Sequence, residues 1–245
     1  MNPIPPIDPA GRAVMDQEWR HLLFAHRSVL AEALQALLPD GLEVNTFEAR
    51  ASVGLVPFAM RGVRPRRLPS LPGLSNFHET NVRTYVRREG RDPGVWFFSL
   101  DAASPVAVAV ARSRFGLPYH HARMSVAVDA REGAWPTLTY TSRRIRPGPL
   151  PAASRVRARA VGPAAKAVPG SIDHFLAERY RLDSARGGRL WRGQVRHDAY
   201  PLQPAVIESL DETLVAAAGI DRPDVAPIVH DAAGVRVEVF GLVPV

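Results

Sequence analysis

The chain has 245 residues, no cysteine, 23 prolines and a net charge of +7 from 31 basic and 24 acidic residues. The missing cysteine excludes disulfide scaffolds, thiolate zinc sites, iron–sulfur clusters and cysteine nucleophiles. No apolar run approaches the roughly 18 residues of a membrane helix, and thirty of the basic residues are arginine against the single Lys166. An arginine bias this strong reads as genome composition. A nucleic-acid surface would interleave basic residues with exposed aromatics or carry a known module.

Residues 1–12 are Pro-rich and aperiodic, and are expected to form an N-terminal arm before a single domain over 13–245. They lack the basic and then apolar segments of a signal peptide, so a cytoplasmic location is expected. Trp19 to His26 is apolar enough for strand or helix. Ser28 can cap a helix with apolar positions at Leu30, Ala33, Leu34, Leu37 and Leu38, stopped by Pro39-Asp40-Gly41. Strands are predicted at Leu42–Phe47 and Ala51–Phe58. Residues 61–75, with four arginines and three prolines, read as a long loop.

Asn76 to Arg87 alternates, with Phe77, Glu79, Asn81, Arg83 and Tyr85 on one face. Val95 to Leu100 is a buried strand. Ser104-Pro105 opens a helix that ends at Gly116. Strands follow at 122–128, 137–144 and 155–161, then a helix from Ser171 to Tyr180 and a strand at 190–197. A helix over Ile207–Ala218 and a last strand at Val235–Leu242 complete the chain. With no βαβ alternation and no repeat, the class is α+β: a mainly antiparallel sheet closed into a cone-like barrel, with three to four helices packed outside.

The signatures of serine hydrolases, Rossmann enzymes, P-loop proteins and zincins are absent. His120-His121 is the one histidine pair, and on a strand the two point to opposite faces, so no metal and no cofactor are expected. Arg155, Arg157 and Arg159 share a strand face and read as a solvated exterior. The alternating face of 77–85 suits the wall of a pocket: Arg83 can hold a carboxylate or carbonyl and Glu79 can move a proton. An exposed face with cross-strand ion pairs is the competing reading, against which the aromatics in the same register count.

Several blocks resemble the YqjF-like family: Leu55-Val56-Pro57-Phe58, Asn81 to Val86, Val95 to Ala102, Ala111 to Tyr119, Gly170 to Tyr180 and Trp191 to His197. The resemblance runs from about residue 15 to 243 and implies a distant branch of the acetoacetate decarboxylase-like superfamily, with its cone-shaped barrel and internal pocket. Acetoacetate decarboxylase uses a lysine Schiff base in a Gly-aromatic-Pro-Lys-Lys turn. The matching stretch here, Gly116-Leu117-Pro118-Tyr119-His120, places Tyr119 at the nucleophile position and His120 beside it. A phenol forms no imine, and Lys166 lies elsewhere in a Pro/Ala-rich segment.

The expected function is therefore a pocket for a small carbonyl or carboxylate compound. As an enzyme it would be lyase- or isomerase-like and would work without a Schiff base. Its catalytic residues would be Glu79, Tyr119 and His120, with Asn81, Arg83, Tyr85 and Phe98 binding substrate. Two alternatives stand beside it: a non-catalytic ligand-binding protein, and an interaction protein using the Arg61–Arg67 segment. The expected partner is a small molecule rather than a membrane or nucleic acid, and homo-oligomerisation stays open.

Overall fold

A computed structural model describes residues 11–130, 132–222 and 224–245. Residues 1–10 of the expected arm lie outside the described residues. The elements run β1 (Ala13–Val29), α1 (Ala31–Gln35), β2 (Glu43–Val44), β3 (Ala51–Pro65), β4 (Phe77–Arg88), β5 (Arg91–Ala102) and α2 (Pro105–Val110). A π-helical turn (Ala111–Phe115) leads to β6 (Tyr119–Asp129), β7 (Thr137–Arg146), β8 (Ala153–Ala160), α3 (Ile172–Ala177), β9 (Arg181–Arg186) and β10 (Arg189–Arg196). The last elements are β11 (Leu202–Glu212), α4 (Leu214–Ala217), β12 (Ile228–Phe240) and β13 (Val243–Pro244).

All strands belong to one sheet, ordered β13-β10-β9-β5-β6-β7-β8-β11-β12-β1-β3-β4-β2. Two extra pairings, β10 with β12 and β4 with β5, return the sheet on itself. Pairing is antiparallel except that β5 runs parallel to β6 and to β9. The β5–α2–β6 segment is thus a βαβ crossover, which the sequence reading had excluded. A helix is the compact way to carry a chain back to a parallel neighbour. Here Ser104 caps α2 through the Ala107 N–H, Pro105 opens it, and Gly116 ends the π-helical turn at a φ of 62°.

Three expectations fail where strand pairing extends further than local composition suggests. Ser28 lies in β1 opposite Ser52, and α1 starts after Leu30 with no side-chain cap. Arg61 and Arg64 lie in β3, not in a loop, because Glu18 and Asp16 of β1 stand opposite them. Ile207–Glu212 is strand, and only Leu214–Ala217 of that stretch is helical. Its apolar Ile207 and Leu210 pack on the core while Glu208 bonds Arg157 and Arg159 of the neighbouring strand. Strand β9 was not foreseen at all, although Gly187-Gly188, with φ of 60° and 71°, is the tight turn that joins it to β10.

The core falls into three apolar clusters. Strand β4 lies between two of them: Phe77 packs in one and Val82 in the other. Both faces of its middle are therefore buried, and polar side chains there need partners or a cavity.

Candidate functional site

A cavity of about 640 Å³ opens inside the first cluster. Leu22 and Phe24 of β1, Val56, Phe58 and Met60 of β3, and Val95, Phe97 and Leu100 of β5 form part of its wall. Phe77, Glu79, Asn81 and Arg83 enter it from β4, as the alternation of that strand dictates. Tyr119, first residue of β6, enters beside Leu100, its partner across the parallel pair.

Glu79 is 3% exposed and accepts a 2.8 Å hydrogen bond from the Tyr119 hydroxyl. Burial raises its carboxyl from 4.5 to about 8, with the Asp101 charge adding to the rise and the Tyr119 bond opposing it. Burial and the Glu79 charge push the Tyr119 phenol well above its ordinary 10. Near neutral pH the pair is therefore a mostly protonated acid beside a phenol, in an apolar wall.

Asn81 is buried and its Oδ1 has no hydrogen-bond partner. The Arg83 guanidinium donates to the Leu176 carbonyl at 3.1 Å and weakly to the Tyr85 hydroxyl at 3.4 Å, while its Nε is unpartnered. Tyr85 does not line the cavity. Its hydroxyl bonds the Leu176 carbonyl and His26 Nε2, and its ring backs the cationic end. The bonds are mutually satisfied when His26 donates from Nε2 and Tyr85 donates to the carbonyl. Burial and the nearby Arg83 charge keep His26 neutral by lowering it well below 6.5.

Two expected residues face away. Phe98 packs against the second core cluster, and Phe97 takes the cavity position. The cause is a register shift: Val82 stands opposite Ser99, yet Arg83 stands opposite Phe97, so one extra residue of β5 reverses the alternation. His120 follows Tyr119 on a strand and so points to the other face. There its Nδ1 meets the Pro147 carbonyl at 2.9 Å, and burial and the Arg144 charge lower its pKa. Behind it Asp101 and Arg144 form a bidentate pair at 2.8 Å on both arms with no exposure.

The sequence reading does not pick out Arg179, which lines the cavity at 5% exposure with all three guanidinium nitrogens lacking a hydrogen-bond partner. Its charge lies 4.3 Å from the Phe175 ring centroid and 4.8 Å from that of Tyr85. Burial lowers it from 12.5 to about 9, which leaves it cationic at neutral pH. Neighbouring Glu178 fixes the backbone: it accepts from the Tyr180 hydroxyl and, at 3.0 Å, from the Tyr200 N–H. The available signal was an arginine, next to Glu178, between the apolar run Phe175-Leu176-Ala177 and Tyr180.

Lys166 is exposed in a separate polar cleft with Arg61, Arg196 and Asp198. No lysine lines the cavity, and this is the chain's single lysine. Of the other arginines singled out, Arg64 and Arg66 face Asp16 and Glu238, and Arg157 and Arg159 share Glu208. Among the described residues no group of three His, Asp or Glu side chains is placed to hold a metal, and no helix is long and apolar enough to cross a membrane.

The fold is of the acetoacetate decarboxylase-like kind. A solved acetoacetate decarboxylase superposes with a TM-score of 0.61 at 17% identity, covering 96% of this chain and 90% of that one. The enduracididine biosynthesis enzyme MppR, solved in complex with pyruvate, does so at 0.64 and 13% identity, covering 97% and 92%. The chain belongs to the DUF2071 family, described as “Uncharacterized conserved protein”, which matches residues 16–236. It is 37% identical over 224 residues to the uncharacterized protein YqjF of Bacillus subtilis (strain 168), covering 91% of this chain and 89% of that protein.

Proposed function

We propose that the cavity, read as the interior of a cone-like barrel, binds a carbonyl compound carrying a carboxylate and moves a proton on it without forming an imine. The observation that carries this reading is the pairing in one cavity of a hydrogen-bonded Glu79–Tyr119 couple with two guanidiniums short of partners, Arg83 and Arg179. A buried cation without a counter-ion is costly, and a ligand carboxylate supplies the missing partner. In its ionised form Glu79 is a stronger base than an ordinary carboxylate, because burial has raised it to about 8. It takes the proton from the carbon beside the carbonyl. The carbonyl electrons move to oxygen, and the Tyr119 O–H turns to donate to that oxyanion.

Holding the carboxylate on guanidiniums stabilises it against leaving as carbon dioxide. The arrangement therefore favours enolisation or hydration–dehydration over decarboxylation. MppR bound to pyruvate is a structural relative with an oxo-acid as ligand. The test is solvent deuterium incorporation beside the carbonyl of a panel of oxo acids in which the carbonyl is placed progressively further from the carboxylate, followed by NMR. Exchange should quicken with pH up to about 8, fall at least a hundredfold in Glu79→Gln, and persist unchanged after borohydride treatment with substrate present. Exchange equal in wild type and Glu79→Gln would remove Glu79 from the mechanism.

A further inference from the structure

The cavity is larger and greasier than a small oxo-acid requires. At about 30 Å³ for each water-sized unit, 640 Å³ corresponds to roughly twenty units, so a six-atom acid such as pyruvate would leave most of it unfilled. The rest of the lining is largely apolar, a surface better covered by an apolar ligand than by water. The remaining wall is therefore matched to more ligand.

The buried guanidiniums with unpartnered nitrogens also sit at one end, whereas the other lining arginines, Arg64 and Arg181, are paired with Asp16 and Asp92. Arg83 and Arg179 are 8% and 5% exposed, among Phe24 and Tyr200 at 1% and 2%. Leu68, Leu71, Val106 and Val110 also line the cavity and are 56%, 55%, 50% and 46% exposed, so they form its mouth. Strand β4 connects the two ends: Arg83 is six residues from Phe77, roughly 20 Å at 3.3 Å per residue. The axis therefore runs from a buried cationic floor, past the Glu79–Tyr119 couple, to a mouth rimmed by aliphatic side chains. Exposed leucines and valines are unremarkable singly. Here they continue an apolar wall outward.

Resting on the reading of a carboxylate-binding cavity, we propose that the ligand is an amphipathic monocarboxylic acid. Its carboxylate lies on Arg83 and Arg179, and its apolar body runs past Glu79 to the Leu68, Leu71 and Val106 rim. Arg179 is the binding residue that makes an acid the preferred ligand. Its unpartnered guanidinium gains charge-assisted bidentate hydrogen bonds from a carboxylate, whereas an alcohol of equal length offers one neutral acceptor and an ammonium none.

The experiment is isothermal titration of the full chain with straight-chain carboxylates of two to fourteen carbons, each below its micelle concentration, with 1-decanol and decylamine as matched controls. Affinity should rise about fourfold per added methylene and stop rising once the tail reaches the rim. Decanoate should bind at least tenfold tighter than decanol. Arg179→Met should weaken decanoate at least tenfold and leave decanol unchanged, and Leu71→Asn should lower the gain per methylene only for the longest acids. The wild-type series needs no variant to fold. Acetate and butyrate binding as tightly as decanoate would overturn the proposal and leave the carboxylate reading standing. Equal affinity for decanoate and decanol would overturn it too. A wild-type chain that binds no carboxylate of any length would remove both the proposal and the reading beneath it.

Discussion

The raised carboxyl of Glu79 makes a quantitative demand on stability. Its proton stays bound in the folded protein up to about pH 8, whereas the unfolded chain releases it near 4.5. Folding therefore loses free energy as pH rises through that window, and the loss is complete above the folded value. At about 1.4 kcal/mol per pH unit, the full effect is about 5 kcal/mol, and water entering through the cavity mouth reduces it. Glu79→Gln removes the titration yet keeps an oxygen to accept from Tyr119. Urea unfolding of both proteins should give similar stability near pH 4.5. The variant should then gain on wild type by about 2–5 kcal/mol between pH 5 and 8 and stay level above. A constant difference from pH 5 to 8.5 would mean that Glu79 ionises normally, and the account of a dry, protonated acid would be wrong.

Three further outcomes test the frame around the cavity. Asp101→Ala leaves the Arg144 guanidinium buried without its counter-ion, so it should lower stability by about 3–5 kcal/mol in urea unfolding. Gly54→Ala places a methyl 2.8 Å from the His26 ring, which holds Tyr85 through Nε2. It should cost about 1–3 kcal/mol, and a cost near zero would mean that His26 moves freely. Arg157→Gln removes an exposed ion pair with Glu208 and should leave the urea midpoint where it is.

What was legible in the sequence was local. A strand alternates with period two wherever it lies, so Phe77, Glu79, Asn81 and Arg83 could be placed on one face from their spacing alone. Helix caps are local too, and Ser104 and Ser171 both accept the N–H three residues on. Phe98 was misplaced because a bulge is created by the pairing partner. His120 faces away because it and Tyr119 are adjacent on β6 and point to opposite faces of the sheet. The direction of Arg179 is not local: its neighbour Glu178 holds the backbone of Tyr200, 22 residues further on. The closing of the sheet likewise rests on pairs distant in sequence, such as Val195 with Val239.

The charges in the cavity are consistent with one another only because they are kept apart. Two arginines near a carboxylate would ordinarily hold it ionised, yet burial and the Asp101 charge raise Glu79. Asp101 itself is committed to Arg144 on the far side of the wall and cannot neutralise the cavity. Glu79 and Arg83 stand four positions apart on the strand, a backbone spacing of roughly 13 Å, which lets a mostly protonated acid and a cation share one apolar space without collapsing into an ion pair. An ion pair would satisfy both groups and leave neither available to a ligand. The same separation leaves the empty cavity cationic near neutral pH, so a bound carboxylate should stabilise the fold as its concentration exceeds the dissociation constant, and an uncharged ligand of equal size should stabilise it less.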